Sequence, residues 1–244
     1  MRYRKNNEGL NKYLAGLFDG DGTIYVRYSS GNLRLTMEIV FNLNEPKVEE
    51  TMYMLYDHYG FGRIDRKQSK NVTLACWVIE GKRAISLFNT IKKHCVIKAQ
   101  HGERVLKLYT SNRRPKPSVL KRWLRLSRRN TGSLKPKNHI TWGWLAGYID
   151  ADGYIGYNPS IYTGIRFGCN AVKDKAAIEL ISKSFGRPYR YNPKDKCFRL
   201  DIYMSKKTKA TAQRILPKLL PHLRFKKWNA EQLLHYVKTP TRRD

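Results

Sequence analysis

Leu14-Ala-Gly-Leu-Phe-Asp-Gly-Asp-Gly22 returns 131 positions later as Leu145-Ala-Gly-Tyr-Ile-Asp-Ala-Asp-Gly153, more than half the length of a 244-residue chain. A repeat at that distance restricts the fold to two similar units, each built from the same order of elements. The likeness runs beyond the nonapeptides. Phe41, Asn44 and Lys47 are answered by Phe167, Asn170 and Lys173, and Tyr59-Gly60 by Phe185-Gly186. His94, Ile97, Lys98, Glu103 and Leu106 are answered in turn by His222, Phe225, Lys226, Glu231 and Leu234.

Within each unit the periodicity changes in a fixed order. Leu10, Tyr13, Leu14, Leu17 and Phe18 follow helical spacing and predict an amphipathic helix over 10–18, with Asn11 able to cap its start. Leu33, Leu35, Met37, Ile39 and Phe41 alternate with Arg34, Thr36, Glu38, Val40 and Asn42, the period of a half-buried strand. A helix over about 45–58, a turn at Gly60-Phe61-Gly62, strands at 63–67 and 71–79 and helices over about 82–109 complete an αββαββα half. The expected fold class is α+β, with halves 1–109 and 141–244 around a linker, 110–140, that holds a short helix at 119–129.

Charge narrows the function. The 48 Lys and Arg against 19 Asp and Glu leave +29, divided as +7 over 1–109, +10 over 110–140 and +12 over 141–244. A surplus spread along the whole chain calls for a polyanion, and the mixture with aromatic and β-branched residues suits nucleic acid better than lipid. The linker, with ten cations, no acids and Pro115, Pro117 and Pro136, suits phosphate contact. No apolar run reaches the length of a membrane span, and Met1–Asn7 lacks the apolar stretch of a signal peptide, so a soluble intracellular protein is expected. Cys76, Cys95, Cys169 and Cys197 have neither zinc-site nor disulfide-frame spacing and read as free thiols.

In so basic a chain the acids are the informative residues. Asp19 and Asp21, like Asp150 and Asp152, fall at the C-terminal end of their helix, where the macrodipole already places about half a negative charge. Carboxylates there cost stability unless a cation compensates, and oxygen ligands select hard ions such as Mg²⁺ or Mn²⁺. A calcium loop of the EF-hand kind does not fit, since its twelfth position is Ser30 in one half and Ile161 in the other. Simple capping by Gly20, Gly22 and Gly153 with incidental acids does not explain why the pattern occurs twice. Gly16 and Gly147 each cost about 1 kcal/mol relative to Ala inside a helix, and the small side chains of Ala15-Gly16 and Ala146-Gly147 let two helices approach closely, so the motif helices are expected to pack together.

These features resemble the LAGLIDADG homing endonucleases of the single-chain, two-motif type. The resemblance covers the chain except the linker and the extreme termini. It implies two saddle-shaped antiparallel sheets packed through the motif helices in pseudo-twofold symmetry. It also implies a monomer that binds a long, asymmetric double-stranded DNA target, makes a metal-dependent double-strand break and leaves short 3′ overhangs during intron homing. Carried onto this sequence, Asp21 and Asp152 bind Mg²⁺, replaceable by Mn²⁺, with the Gly20 and Ala151 carbonyls as further ligands. Lys98 and Lys226 assist catalysis, while Asn44 and Asn170 position water, with Asn42 a rival to Asn44. Asp19 and Asp150 hold the turn and the helix packing, and His94 and His222 are structural.

Strand alternation nominates Arg27, Ser29, Arg34, Thr36, Glu38, Arg63, Asp65 and Lys67 for DNA reading in the first half. In the second half it nominates Asn158, Tyr162, Arg166, Tyr189, Arg199, Asp201 and Tyr203. The unlike faces suit an asymmetric site. Alternatives are an RNA maturase acting on intron RNA and a catalytically inactive DNA-binding protein on the same fold, although pure binding has no need of Asp21 and Asp152. Neither end carries protein-splicing residues, so an intron-borne gene in an organelle (mitochondrion or chloroplast) or the cytoplasm of its host is expected.

Overall fold

The computed structural model describes residues 7–29, 31–69, 71–111, 115–116, 118–120, 139–158, 162–170, 175–203 and 206–238. In the first half these form α1 (Glu8–Asp21), β1 (Gly22–Ser29), β2 (Asn32–Asn42), α2 (Val48–Tyr59), β3 (Arg63–Ser69), β4 (Val72–Glu80), α3 (Gly81–Ile91) and α4 (Ala99–Thr110). In the second they form α5 (Trp142–Asp152), β5 (Gly153–Asn158), β6 (Tyr162–Asn170), α6 (Lys175–Phe185), β7 (Arg190–Asn192), β8 (Cys197–Tyr203), α7 (Lys206–Leu219) and α8 (Lys227–Lys238). Each half has one four-stranded antiparallel sheet, ordered β1-β2-β4-β3 and β5-β6-β8-β7. The αββαββα order therefore holds twice, with the helical end of each half divided into two helices. Of the helix expected over 119–129, only 119–120 fall among the described residues; 118–120 are helical.

Local chemistry accounts for most element boundaries. The α1 helix starts earlier than its apolar spacing predicts, because the Asn7 side chain accepts from the Leu10 N–H at 3.1 Å and caps it. Asn11 is thus inside the helix, buried, where it accepts from the Tyr59 hydroxyl at 2.8 Å instead of capping. Gly60 ends α2 with φ +69°, a conformation glycine adopts without steric cost, and its N–H returns to the Tyr56 carbonyl. Gly62 then lets the chain pass under Trp77, whose Nε1 donates to the Phe61 carbonyl at 3.0 Å.

The strand period of two puts one face of each sheet in the core. Ile24, Val26, Leu35, Met37, Ile39, Phe41, Ala75, Trp77 and Ile79 are buried under the first set of helices. Ile155, Ile165, Phe167, Leu200 and Ile202 are buried likewise in the second. Each large apolar side chain removed from water in this way stabilises the fold by roughly 1.5–3 kcal/mol. Cys76, Cys95, Cys169 and Cys197 form no disulfide. Among the described residues no helix is long and apolar enough to cross a membrane.

The halves meet where α1 packs on α5. A Cβ on Gly16 would lie 1.9 Å from the Trp144 carbonyl oxygen, and one on Gly147 would lie 2.0 Å from the Tyr13 carbonyl oxygen. Backbone touches backbone at both positions, so the paired glycines set the crossing. Farther down, a Cβ on Gly20 would fall 2.3 Å from the Ala151 Cβ, so the last turns of the two helices also run side by side. Both sheets then present their uncovered faces away from the helices.

Candidate metal centre and nucleic-acid interface

The close crossing delivers the acids of each motif to opposite tasks. Asp19 and Asp150 point inward and are 2% exposed, a position that desolvation makes costly for a charge. Hydrogen bonds offset that cost. Asp19 accepts from the N–H groups of Val96 (2.6 Å), Ile97 (3.0 Å) and Lys98 (2.8 Å), closing the turn that starts α4, and from Trp144 Nε1 at 2.8 Å. Asp150 accepts from the N–H groups of Arg224, Phe225 and Lys226 before α8, and from the Tyr13 hydroxyl at 2.9 Å. Burial pushes both carboxyls above their usual range, with the backbone donors pulling the other way.

Tyr13 and Trp144 stand at equivalent places in the repeat, so each motif helix braces the other half's acid. The reading of these acids as holders of turn and packing matches this geometry. Removing one brace in Tyr13→Phe is expected to cost about 1–2 kcal/mol. Chemical unfolding of the variant, with an unchanged slope against denaturant, checks it.

Asp21 and Asp152, two residues farther on, end α1 and α5 at the open end of the helix pair. Among the described residues no side chain hydrogen-bonds or ion-pairs with either carboxylate. An ideal Cβ on Gly20 would be 3.5 Å from Asp152 Oδ2, which brings the second acid against the last turn of α1. The carboxyl tips reach solvent, yet desolvation by the surrounding protein, followed by the charge of Asp152, pushes Asp21 up to about 6. Desolvation raises Asp152 as well, against the pull of Lys98 and Lys226. Two close carboxylates with no partner are an unstable arrangement that a divalent cation relieves.

No group of three or more His, Cys, Asp or Glu side chains stands ready to hold a metal among the described residues. An ion here therefore draws on two carboxylates, helix-end carbonyls, and oxygens from water or a phosphate. That donor set fits Mg²⁺, which retains water and takes few protein ligands.

Lys98 and Lys226 come into the same site by the route the repeat predicts. The Lys98 ammonium donates to the carbonyls of Phe18 (3.0 Å), Gly20 (2.7 Å) and Gly22 (2.8 Å). Lys226 donates to Ile149 (2.9 Å) and Asp150 (2.7 Å), one residue short of Ala151. Both lysines lie close enough to Asp21 and Asp152 to lower their pKa values. The Gly20 carbonyl assigned to metal by resemblance is thus held by Lys98.

The amides behave differently from expectation. Asn44 Oδ1 accepts from the Thr73 N–H and Nδ2 donates to the Asn71 carbonyl, so its carboxamide braces the β2 turn against β4. Asn44 is corrected from a water-positioning residue to a turn brace, with the Asn42 side chain supporting the same turn through the Asn44 N–H. Asn170 ends β6, and its side chain lies outside the described residues. His94 is buried with Nε2 3.3 Å from Glu8, and burial lowers its pKa as it does that of His222.

Glu45 went unnoticed in the sequence. It stands 3.9 Å from Lys226 and its charge reaches Asp21, in a cleft of about 1030 Å³ that also exposes Asp152 and Trp228. Its counterpart in the repeat is Ala171, so symmetry gave no signal for it.

Strand register places most of the nominated recognition residues on the uncovered faces. Arg27 faces Arg34, Glu38 faces Val78, and Val78 faces Arg63; Asp65 and Lys67 continue the same face along β3. Ser29 lies at the hairpin end. Arg27 pairs with Glu80 at 3.1 Å and Arg63 with Glu80 at 3.2 Å, while Tyr25 donates to Glu38 at 2.5 Å.

Thr36 is corrected: it is fully buried although on the outer face. Its direct cross-strand neighbours are Tyr25 on β1 and Glu80 on β4, the latter paired with Arg27. In the second sheet Arg166, Asp201, Arg199 and Tyr203 share the open face. Asp201 is itself only 5% exposed between Arg166 and Arg190, so it organises arginines. Asn158 and Tyr162 pair across the β5–β6 hairpin, and their side chains lie outside the described residues.

Tyr189 is the second correction on these faces. It precedes β7, packs edge-on against Phe198 and donates to Glu179 of α6, which puts it on the helix side. Arg190, Glu80 and the exposed Tyr154 belong on the open faces and were missed, although alternation along their strands marks them.

Residues 14–101 match the family model described as LAGLIDADG endonuclease. No curated protein matches the chain significantly. Among solved structures, the meganuclease I-AabMI bound to uncleaved DNA is similar with a TM-score of 0.66 at 14% identity, over 93% of this chain and 90% of that one. The I-LtrWI homing endonuclease bound to target DNA gives 0.66 at 13% identity, over 96% and 91%. I-SmaMI bound to an uncleaved DNA target in the presence of calcium ions gives 0.63 at 15% identity, over 96% and 91%. Identities this low establish a common fold with these endonucleases, and the match to the LAGLIDADG endonuclease model lies within the first half of the chain.

Proposed function

We propose that the chain is a site-specific DNA endonuclease that makes a metal-dependent double-strand break in a long asymmetric target. The observation that carries this reading is the unpartnered Asp21–Asp152 pair, one acid from each half, at the open end of the helix crossing. Antiparallel strands of a duplex need two such groups related by a twofold axis, and a binding protein needs neither. The solved relatives are described as bound to DNA, which supports the same substrate class.

A divalent ion held by the two carboxylates would polarise the scissile phosphates and lower the pKa of water. The chain's own groups do the rest. Lys98 and Lys226 bring positive charge to phosphate oxygens where negative charge grows. Asp19 and Asp150 fix the segments from which those lysines extend. On the sheets, Arg34, Lys67 and Arg199 are placed for base edges or phosphates, and the acids Glu80 and Asp201 hold neighbouring arginines in position. Unlike residues on the two faces suit an asymmetric site, as intron homing requires, with short 3′ overhangs the expected product.

A plasmid carrying the uninterrupted host gene, incubated with Mg²⁺, with Ca²⁺ or with EDTA, tests the reading. Linearisation at one site with Mg²⁺ alone is expected. Binding without cutting under every condition points to an inactive DNA-binding protein, and rescue of intron splicing without cutting points to a maturase. Given the +29 charge, affinity for duplex should fall by about 10³-fold or more between 50 and 200 mM salt. Fluorescence anisotropy against salt measures this, and a flat dependence would contradict a phosphate-dominated interface.

A further inference from the structure

We propose that, before DNA arrives, the ammonium groups of Lys98 and Lys226 serve as resident cations of the metal centre. Lys98 occupies the Gly20 carbonyl that a divalent ion would share and Lys226 holds its charge one residue before Ala151, so firm metal binding waits until phosphates draw the lysines away. The inference deepens the endonuclease reading and rests on it for the final step alone.

Three observations meet here. Lys98 spends its ammonium on three carbonyls at the end of α1, Gly20 among them, and Lys226 spends its own on two at the end of α5. Charge-assisted bonds to the negative pole of a helix are the stronger kind, and the Lys226 side chain is only 12% exposed, so these contacts are built in. Second, both ammonium groups sit on the residues just before Asp21 and Asp152, Lys98 on the Gly20 carbonyl and Lys226 on the Asp150 carbonyl, without contacting either carboxylate. The two lysines therefore offset most of the charge of Asp21, Asp152 and the nearby Glu45 without any metal. Third, the protein's side chains cannot complete a metal shell alone, since no third acidic, histidine or cysteine ligand joins the pair among the described residues.

The consequence is an order of events. In the free protein a divalent ion must displace or face an ammonium at Gly20, and the local charge offers it little net attraction. A scissile phosphate presents oxygens that compete for the ammonium groups and also supply missing ligands. Metal affinity then rises with DNA bound, and the free protein is protected from holding ions that only DNA should recruit.

Calorimetric titration of Ca²⁺ into the DNA-free full chain is the test. Wild type is expected to bind weakly, and Lys98→Met at least about tenfold more tightly, because one positive charge and one carbonyl competitor are gone. Lys98→Arg, which keeps the charge, is expected to stay near wild type. Adding Asp21→Asn to Lys98→Met should abolish the gain, placing it at this centre. Should Lys98→Met fail to fold by circular dichroism, Lys226→Met is titrated instead with the same expectation. Unchanged or weaker Ca²⁺ affinity in a folded lysine variant overturns the proposal, as does a gain that survives Asp21→Asn. With a duplex present, Ca²⁺ affinity should rise more in wild type than in Lys98→Met. A duplex that is neither bound nor cut refutes the endonuclease reading, while the DNA-free titrations still decide this one.

Discussion

Asp21→Asn, and separately Asp152→Asn, should lower double-strand cleavage by about 10³-fold or more, because each removes a charge from the carboxylate pair proposed to hold the metal. The same substitution should stabilise the metal-free protein. Asp21 has its carboxyl pushed from 3.8 to about 6 in the fold, first by desolvation and then by Asp152. A folded state that holds its proton more tightly than the unfolded chain is favoured at low pH, and that advantage is lost as pH rises from near 4 through 6. Asparagine imitates the protonated form.

The gain in Asp21→Asn is therefore full above pH 6 and absent below about 4. Since the carboxyl tip reaches water, it is smaller than the full shift implies, about 1–2 kcal/mol or a few degrees in Tm. Melting curves across pH 4–8 without metal check the sign. Cleavage has the opposite pH dependence, falling as pH drops through about 6, because the protonated acid no longer binds metal. A variant that loses cutting and also loses stability at pH 7.5 would show Asp21 to be a structural acid like Asp19.

Gly16→Ala has the largest expected effect on folding. The new methyl carbon would sit 1.9 Å from the Trp144 carbonyl oxygen and 2.8 Å from the Tyr148 nitrogen, both backbone atoms of the opposite helix. No rotamer relieves a clash with backbone, so α1 and α5 must separate, and the brace from Trp144 to Asp19 separates with them. A loss of about 3–5 kcal/mol is expected, enough to leave many domains unfolded. Gly147→Ala meets the Tyr13 carbonyl oxygen at 2.0 Å and should behave alike.

Gly9→Ala is the control on the same helix. A Cβ there meets only Asn7 Oδ1 at 3.4 Å, so the variant should be neutral or gain up to about 1 kcal/mol from helix propensity. Urea unfolding of the three variants side by side separates these outcomes. Equal stability of Gly16→Ala and Gly9→Ala would mean that the helix crossing tolerates more space than its geometry shows.

Much of this site was legible in the chain because its signals are local. A helical stripe, a strand alternation and a pair of acids at a helix end each sit within about ten residues, and the repeat doubles each signal. Small residues inside a helix carry one implication, close contact, and the repeat named the partner helix. Lys98 and Lys226 were found by symmetry as well, though not the carbonyls they hold.

Long-range contacts were not legible in the same way. Trp144 reaches Asp19 across 125 positions, and Tyr13 reaches Asp150 across 137. Both depend on how far two helices slide past each other, which periodicity does not encode. Glu45 entered the centre because the β2 turn of one half touches the start of α8 in the other, and an unmatched residue leaves no trace in a repeat. Thr36 obeyed its alternation and was still buried, between Tyr25 and Glu80 as its cross-strand neighbours. Asn44 and Tyr189 had partners among backbone groups and helices that strand pattern alone does not locate.

By itself, then, the sequence determined two αββαββα halves, their joining through glycine-bearing helices and the acids at the helix ends, since each is written in short-range spacing. Tertiary structure alone decided which acids brace and which stay open, where the lysines rest and which face residues remain exposed. Those outcomes follow from competition among buried hydrogen bonds and charges, and that competition is settled only when distant segments meet.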